Sequence, residues 1–259
     1  MPDAGGGVPA VVLLAGAGDT VASWALVREL IDPDTRVIAV ERQGLVERAW
    51  GPRSLDAYLA ELDALVAGED APVVLVGHSF GGLLAQVYAE RHPERVAGLL
   101  LVDATPRAVA FDRGVAAGFA VSAGIARLLR ALAPLGLVRL LLAARALPLY
   151  PEQRSFERRA DGDTVRAWKD TVDRAMRGGA ADELRSVLPA TREATELDGE
   201  SLLRDARVCL ITSSAYGAAW VTMHDKMAAR YPLERPSVHA GPAPQHSDGA
   251  SRARRRRDT

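Results

Sequence analysis

Ser79 stands between Gly77 and Gly81 in the stretch VVLVGHSFGGLLAQVYAERHP, residues 73–93, with four apolar strand formers ahead of it and a helix-like run behind it. A serine hydroxyl is a weak nucleophile. A fold that uses one must hold it clear of the backbone, give it a base, and aim donors at the charge that develops on a carbonyl oxygen. The G-x-S-x-G spacing alone is weak, because it turns up by chance in roughly one chain in ten of this size. Its setting is what makes it specific: a buried strand enters and a helix leaves, so Ser79 is predicted to sit on a strained turn, with room made by Gly77 and Gly81. The helix start behind it directs backbone amides at the same point. The chemistry these residues suit is attack on a carbonyl carbon.

The elements that must position this serine are legible on either side. Val11–Leu14, Val37–Val40, Val73–Val76 and Leu99–Val102 are near-continuous aliphatic runs, the pattern of strands buried on both faces of a parallel sheet. Trp24–Leu30, Leu55–Val66 and Leu83–Arg91 carry apolar residues at helical spacing between them. Further strands are expected at Val208–Thr212 and, more weakly, Ser237–Ala240. The alternation predicts an α/β fold wound by right-handed crossovers. Residues 107–200 break the rhythm with helical segments at Ile125–Leu132, Leu135–Ala146, Thr164–Met176 and Asp182–Leu188, punctuated by Pro134, Pro148, Pro151 and Gly178-Gly179. They read as a helical cap over the carboxyl ends of the strands, inserted into a core formed by residues 1–106 and 201–259.

On its motifs the chain resembles the α/β-hydrolase family over most of its length. VVLLAGAGDTVASW is similar to the family's first strand and glycine-bearing loop, with Gly16, Ala17 and Trp24 matching. VIAVERQG is similar to a strand ending in an Asp-Arg-x-Gly turn, GHSFGG to the nucleophile elbow, and VAGLLLVDATP to the strand leading into the cap. The resemblance implies a mostly parallel sheet flanked by helices and an oxyanion hole made by the amides of Phe80 and Ala17. It also places the catalytic histidine in a late loop, where GPAPQHSDG offers His246. Many members carry the acid after the penultimate strand, but VCLITSSAYGAAW has no carboxylate before Asp225. A recognised variation moves the acid to the end of the preceding strand, where Asp103 stands, to orient the imidazole. Asp103 would otherwise satisfy loop amides, as Asp commonly does. Asp225 is the alternative acid, and Asp248 is too close in sequence to His246 to orient it. His78 reads as packed in the elbow, His92 as a surface turn, His224 as helical and His239 as part of the last strand. The chain departs from the family at Ala15, where histidine is usual, and at Glu41, where aspartate is usual. It also passes from His246 into SDGASRARRRRDT where members typically finish with a helix.

Composition bounds the rest. With 259 residues, 48% apolar and 25% charged, the chain has the balance of a globular protein with a substantial core. A net charge of −1 gives it no general field for nucleic acid. The arginines at 252 and 254–257 read as a solvated basic tail of about a dozen residues. Cys209, the only cysteine, reads as a small core residue and excludes an intrachain disulfide. The N-terminus shows no secretory pattern, and the apolar run at 131–149 is interrupted by Arg139 and Arg145, a poor membrane span. A cytoplasmic enzyme is expected, with no nucleic-acid or membrane partner. Scattered histidines and the lack of a phosphate-cradling loop imply no metal or organic cofactor. The aliphatic cap suits an apolar or medium-sized acyl substrate. The expected activity is a serine hydrolase cleaving an ester, lactone or thioester through an acyl-enzyme. The competing readings are a non-hydrolytic acyl transfer or cyclisation on the same fold, and a binding or accessory protein with a degenerate site.

Overall fold

Four-residue runs such as VVLL and VIAV have no polar face to give to water, so they are at home only in a sheet covered on both sides. A computed structural model describes residues 8–46, 51–107, 113–150, 152–196, 207–213, 217–231 and 238–240. In it the runs are β1 (Val11–Leu14), β2 (Val37–Val40), β3 (Val73–His78), β4 (Val96–Val102), β5 (Arg207–Ser213) and β6 (Val238–Ala240). All pair in parallel in one sheet of order β2-β1-β3-β4-β5-β6. The chain thus winds outward from β1 to β2 on one side and from β3 to β6 on the other. The direction of winding reverses between β1 and β3, the point at which open α/β sheets bind ligands beyond the carboxyl ends of their strands.

Each expected strand is present, and β4 is longer than its aliphatic run. It begins at Val96, because Gly98 is clasped between Val74 of β3 and Arg207 of β5. Ala97 and Gly98 carry no strand propensity of their own, and pairing on both sides overrides it.

The helices α1 (Ala25–Leu30), α2 (Leu55–Val66) and α3 (Phe80–Arg91) connect the first four strands, and α9 (Ala218–Ala228) lies between β5 and β6. The Ser54 hydroxyl caps α2 by accepting the Ala57 amide at 3.3 Å. Leu55, Tyr58, Leu59, Leu62 and Val66 of α2 form its buried stripe. Helix α3 has ten of its twelve residues buried, so it is a central helix, fixed by packing on every side.

Five helices lie between β4 and β5: α4 (Arg113–Leu132), α5 (Leu137–Ala143), α6 (Gln153–Glu157), α7 (Gly162–Arg177) and α8 (Ala180–Glu196). Leu129, Val138, Leu142, Trp168, Val172 and Met176 give them a core of their own. Val187, Ala190 and Ala194 of α8 belong instead to the core under the sheet, so the insertion is anchored through that helix. Helix α4 starts twelve residues before the expected Ile125. Its first turns are rich in Gly and Ala, which hide the period, but Ala123 and Ala126 pack tightly against Ala181 and Leu184 of α8. Cys209 departs from expectation: it is half-buried on β5 rather than sealed in the core.

Candidate active site

Only Ser79 separates β3 from α3, and it turns the chain with φ 49° and ψ −118°. An L-residue adopts this conformation at a cost of about 1–3 kcal/mol, and persists in it only where its surroundings over-determine it. Here they do. The Ser79 amide donates to Val102 O at 3.2 Å, and its carbonyl accepts from Gly82, Leu83 and Thr105 amides at 2.9, 3.2 and 2.9 Å. The glycines are needed for close approach: a Cβ on Gly81 would lie 2.3 Å from Leu14 O, and one on Gly77 would lie 2.5 Å from Gly82 Cα. Gly82 is under the same constraint, 2.3 Å from Ala104 Cβ. The double glycine after Phe80 therefore serves packing of α3 on β1 and β4 as well as the turn.

Beyond β1 the chain forms a loop at residues 15–20 that is held from three directions. Arg42, just past β2, donates from Nη1 to Ala15 O at 2.7 Å and from Nη2 to Gly16 O at 2.6 Å. The same guanidinium pairs with Glu183 of α8, whose Oε2 also accepts the Gly18 amide at 2.6 Å. The Tyr150 hydroxyl donates to Gly18 O at 2.8 Å. Amides of Asp19 and Thr20 are satisfied within the loop. Among the described residues, those of Ala17 and Phe80 are paired with no acceptor. These are the two donors named from the sequence. Ala15 itself is buried against Leu13, Trp24 and Val76, so the loop is held through its carbonyls, with no part for a side chain at that position.

Arg42, Glu183, Tyr150 and Asp19 are the site residues that sequence reasoning missed. Arg42 stood in the recognised turn, but Glu183 lies 141 positions away in a cap helix whose register no local pattern reveals.

Asp103 ends β4 with φ 42°. Its amide donates to Ile211 O at 2.8 Å, and its Oδ1 accepts from the Ser213 amide at 2.7 Å and from Trp220 Nε1 at 3.1 Å. The carboxylate is thus fixed by β5 and α9, and lines the same cavity as Ser79. Asp225 points away on the exposed side of α9.

Of the histidines, His224 is structural. Its Nε2 faces Ala104 O at 2.8 Å, which must accept, so its Nδ1 accepts from Thr212 Oγ1 at 2.8 Å. His92 lies at the far end of α3, about 20 Å from Ser79 at 1.5 Å per residue. The backbone of His239 pairs with Thr212. His78 is more than a packed elbow residue. It lines both cavities at Ser79, and burial lowers its pKa against the pull of Asp19 and Asp103. His246 and Asp248 lie outside the described residues.

Two cavities meet at His78, Ser79 and Ser122. One, of about 400 Å³, is walled by Val115, Phe119 and Trp220 and is mainly apolar. The other, of about 320 Å³, is walled by the loop at 16–19 with Tyr150, Glu152, Met176 and Leu184. The cap helices therefore line the site. Burial raises the carboxyl pKa values of Asp19 and Glu152. Among the described residues no cluster of His, Cys, Asp and Glu is arranged to hold a metal ion.

Glu41, the residue that departs from the family's aspartate, has Oε2 accepting the Val21 amide at 3.3 Å and a buried Oε1 that meets no partner among the described residues. Burial pushes its carboxyl up to about 7, against the pull of that amide and Arg42. A folded-state pKa above the ordinary 4.5 means the group costs nothing while both states are protonated, and erodes stability as pH rises from 4.5 to about 7, where the loss is complete. Glu41→Gln is therefore expected to melt like the parent protein at pH 4. At pH 8 it should melt a few degrees higher, at ~2–4 °C per kcal/mol for a domain of this size, in melts followed by circular dichroism.

Residues 11–254 match the alpha/beta hydrolase family, and the chain belongs to it. It is 40% identical over 82 residues to Lipase LipV of Mycobacterium tuberculosis, covering 31% of this chain and 30% of that protein. It is 32% identical over 143 residues to 2-hydroxymuconate semialdehyde hydrolase of Pseudomonas sp., covering 50% of this chain and 48% of that protein. The chain thus spans less than half the length of either relative. The solved enol-lactonase of Burkholderia xenovorans shares the fold at 15% identity, with a TM-score of 0.55 over 93% of this chain and 85% of that one.

Proposed function

We propose that the protein is a serine hydrolase that cleaves an ester, lactone or thioester through an acyl-enzyme. The observation that carries the reading is Ser79, held at φ 49° between β3 and α3 in a cavity it shares with Asp103. Relatives named as a lipase and a hydrolase support it. In this reading His246 takes the Ser79 proton as Oγ attacks the carbonyl carbon, and Asp103 orients and stabilises the imidazolium. The amides of Ala17 and Phe80, which meet no other acceptor among the described residues, receive the oxyanion. Collapse of the tetrahedral adduct expels the alcohol or thiol, which takes the proton from His246. Water then enters by the same route and frees the acid. The apolar walls of the larger cavity suit an aliphatic acyl or alcohol group of medium size.

A fluorophosphonate probe tests this directly. Mass spectrometry of the digested adduct should place the phosphonyl group on Ser79, with labelling slowed by orders of magnitude in His246→Ala and less severely in Asp103→Asn. A folded protein whose Ser79 stays unlabelled at saturating probe would sink the acyl-enzyme mechanism.

A further inference from the structure

Helix α4 has two different faces. Its inner face packs on α8, and Val115, Phe119 and Ser122 wall the larger cavity. Its outer face leaves Val121 60%, Leu128 60% and, one turn beyond the helix, Leu135 81% exposed, seven positions apart on one stripe. Leu140 of α5 adds a fourth exposed side chain at 65%. The 22-residue stretch Gly114–Leu135 is long and apolar enough to cross a membrane, yet only 17% of it is buried in the fold. Soluble proteins rarely leave such a stripe bare without an occupant.

The charge around the stripe says which occupant fits. Residues 113–151 contain five arginines and no acidic residue. Residues 113–196 as a whole hold fourteen basic and ten acidic residues, in a chain of net charge −1. Three of those carboxylates are buried and each is shared by two cations: Asp182 by Arg130 and Arg185, Asp173 by Arg139 and Arg177, and Glu157 by Arg145 and Lys169. The carboxylates are only 3–6% exposed, while Arg139, next to Leu140 in α5, is 70% exposed and Arg145, just past that helix, is 58% exposed. Around α4 and α5 the surface therefore presents the cations and hides their partners, while the exposed acidic residues of this segment, Glu152, Asp161, Asp163, Asp170, Glu193 and Glu196, lie on other elements. A second copy docking by twofold symmetry would set this cationic face against itself, which disfavours self-association. Apolar side chains rimmed by arginine instead match an anionic lipid interface.

We infer that the outer face of α4 and α5 docks onto an anionic lipid bilayer. The helix lies on the surface and does not cross it, because Arg130 is tied to Asp182 and the inner face is engaged by α8. The sequence argued against a membrane partner on the ground that residues 131–149 make a poor span; lying in the interface is a separate fit that tolerates the arginines. Docked this way, the cavity wall formed by α4 is one helix thickness from the acyl region.

The test is co-sedimentation of the full chain with vesicles of phosphatidylcholine alone or with phosphatidylglycerol at about one lipid in three. Binding should be at least tenfold tighter to the anionic vesicles and weaken with added salt. Val121→Glu/Leu128→Glu should weaken it by about tenfold or more, while turnover of a water-soluble ester, or the melting temperature if no ester is turned over, stays at the parent level. The variant Arg252→Ser/Arg254→Ser/Arg255→Ser/Arg256→Ser/Arg257→Ser controls for the basic tail and should keep most of the binding. The inference is overturned if the tail variant alone loses binding or if the double glutamate variant binds like the parent. It is equally overturned if sedimentation shows a dimer that the glutamates disperse while neither protein binds vesicles.

Discussion

Ser79→Ala is expected to leave the fold intact and to lower ester turnover by at least about 10⁴-fold, the loss that follows removal of a nucleophile from a cooperating triad. Any residual rate would come from the Ala17 and Phe80 amides and from substrate binding. The same position offers a control on the strain. The backbone at φ 49° and ψ −118° is close to that of the first central residue of a type II′ turn, where glycine is favoured. Ser79→Gly should therefore be as inactive as the alanine variant but more stable than it, by about 1 kcal/mol in urea unfolding. Alanine keeps the Cβ and so keeps the strain. If the two variants unfold alike, the elbow is unstrained; if Ser79→Ala keeps its turnover, the nucleophile lies elsewhere.

How far this site could be read from the sequence depends on the range of each interaction. Strands β1, β2, β3 and β5 announced themselves because their apolar runs are nearly unbroken; β1 and β3 are mostly buried, while β2 and one face of β5 are only half-buried. The first residues of β4, Val96–Gly98, did not, because only the neighbouring strands hold them there. The elbow was legible because its constraints are local: Gly77, Gly81 and Gly82 touch residues of their own turn or of the strands beside it. Asp103 was a choice among strand ends, and the fixed carboxylate in the cavity of Ser79 favours it over exposed Asp225. The start of α4 was hidden by its glycines and alanines, which offer no clear apolar period. The cap's two-faced charge was equally hidden, because it depends on which carboxylates are buried, a property no window of sequence contains. Glu183 belongs to the same class: it ties Arg42 and the Gly18 amide of the loop at 15–20 to α8.

The Arg42–Glu183 pair is 3% and 5% exposed and carries six hydrogen bonds that join the end of β2, the loop at 15–19 and α8. Removing one partner leaves an uncompensated buried charge, so Glu183→Gln or Arg42→Met is expected to cost about 3–5 kcal/mol of stability. Both should also be nearly inactive, but a protein that is partly unfolded says little about catalysis. The double variant Arg42→Met/Glu183→Leu separates the two effects. With both charges gone the desolvation penalty goes too, and an apolar pair of similar volume should recover most of the lost stability in urea unfolding. Turnover should not recover with it. The Ala15 carbonyl and the Gly18 amide would have lost these partners and the Gly16 carbonyl would keep only the Asp19 amide, leaving the Ala17 amide on a loop held by that turn and by Tyr150 alone; loss of one oxyanion donor lowers kcat by about 10²–10³. A double variant that is stable yet slow, with KM for a p-nitrophenyl ester little changed, would identify the pair as the element that positions the oxyanion donor. Recovery of kcat along with stability would show that the pair only holds the cap to the sheet, and that the loop finds its catalytic shape without it.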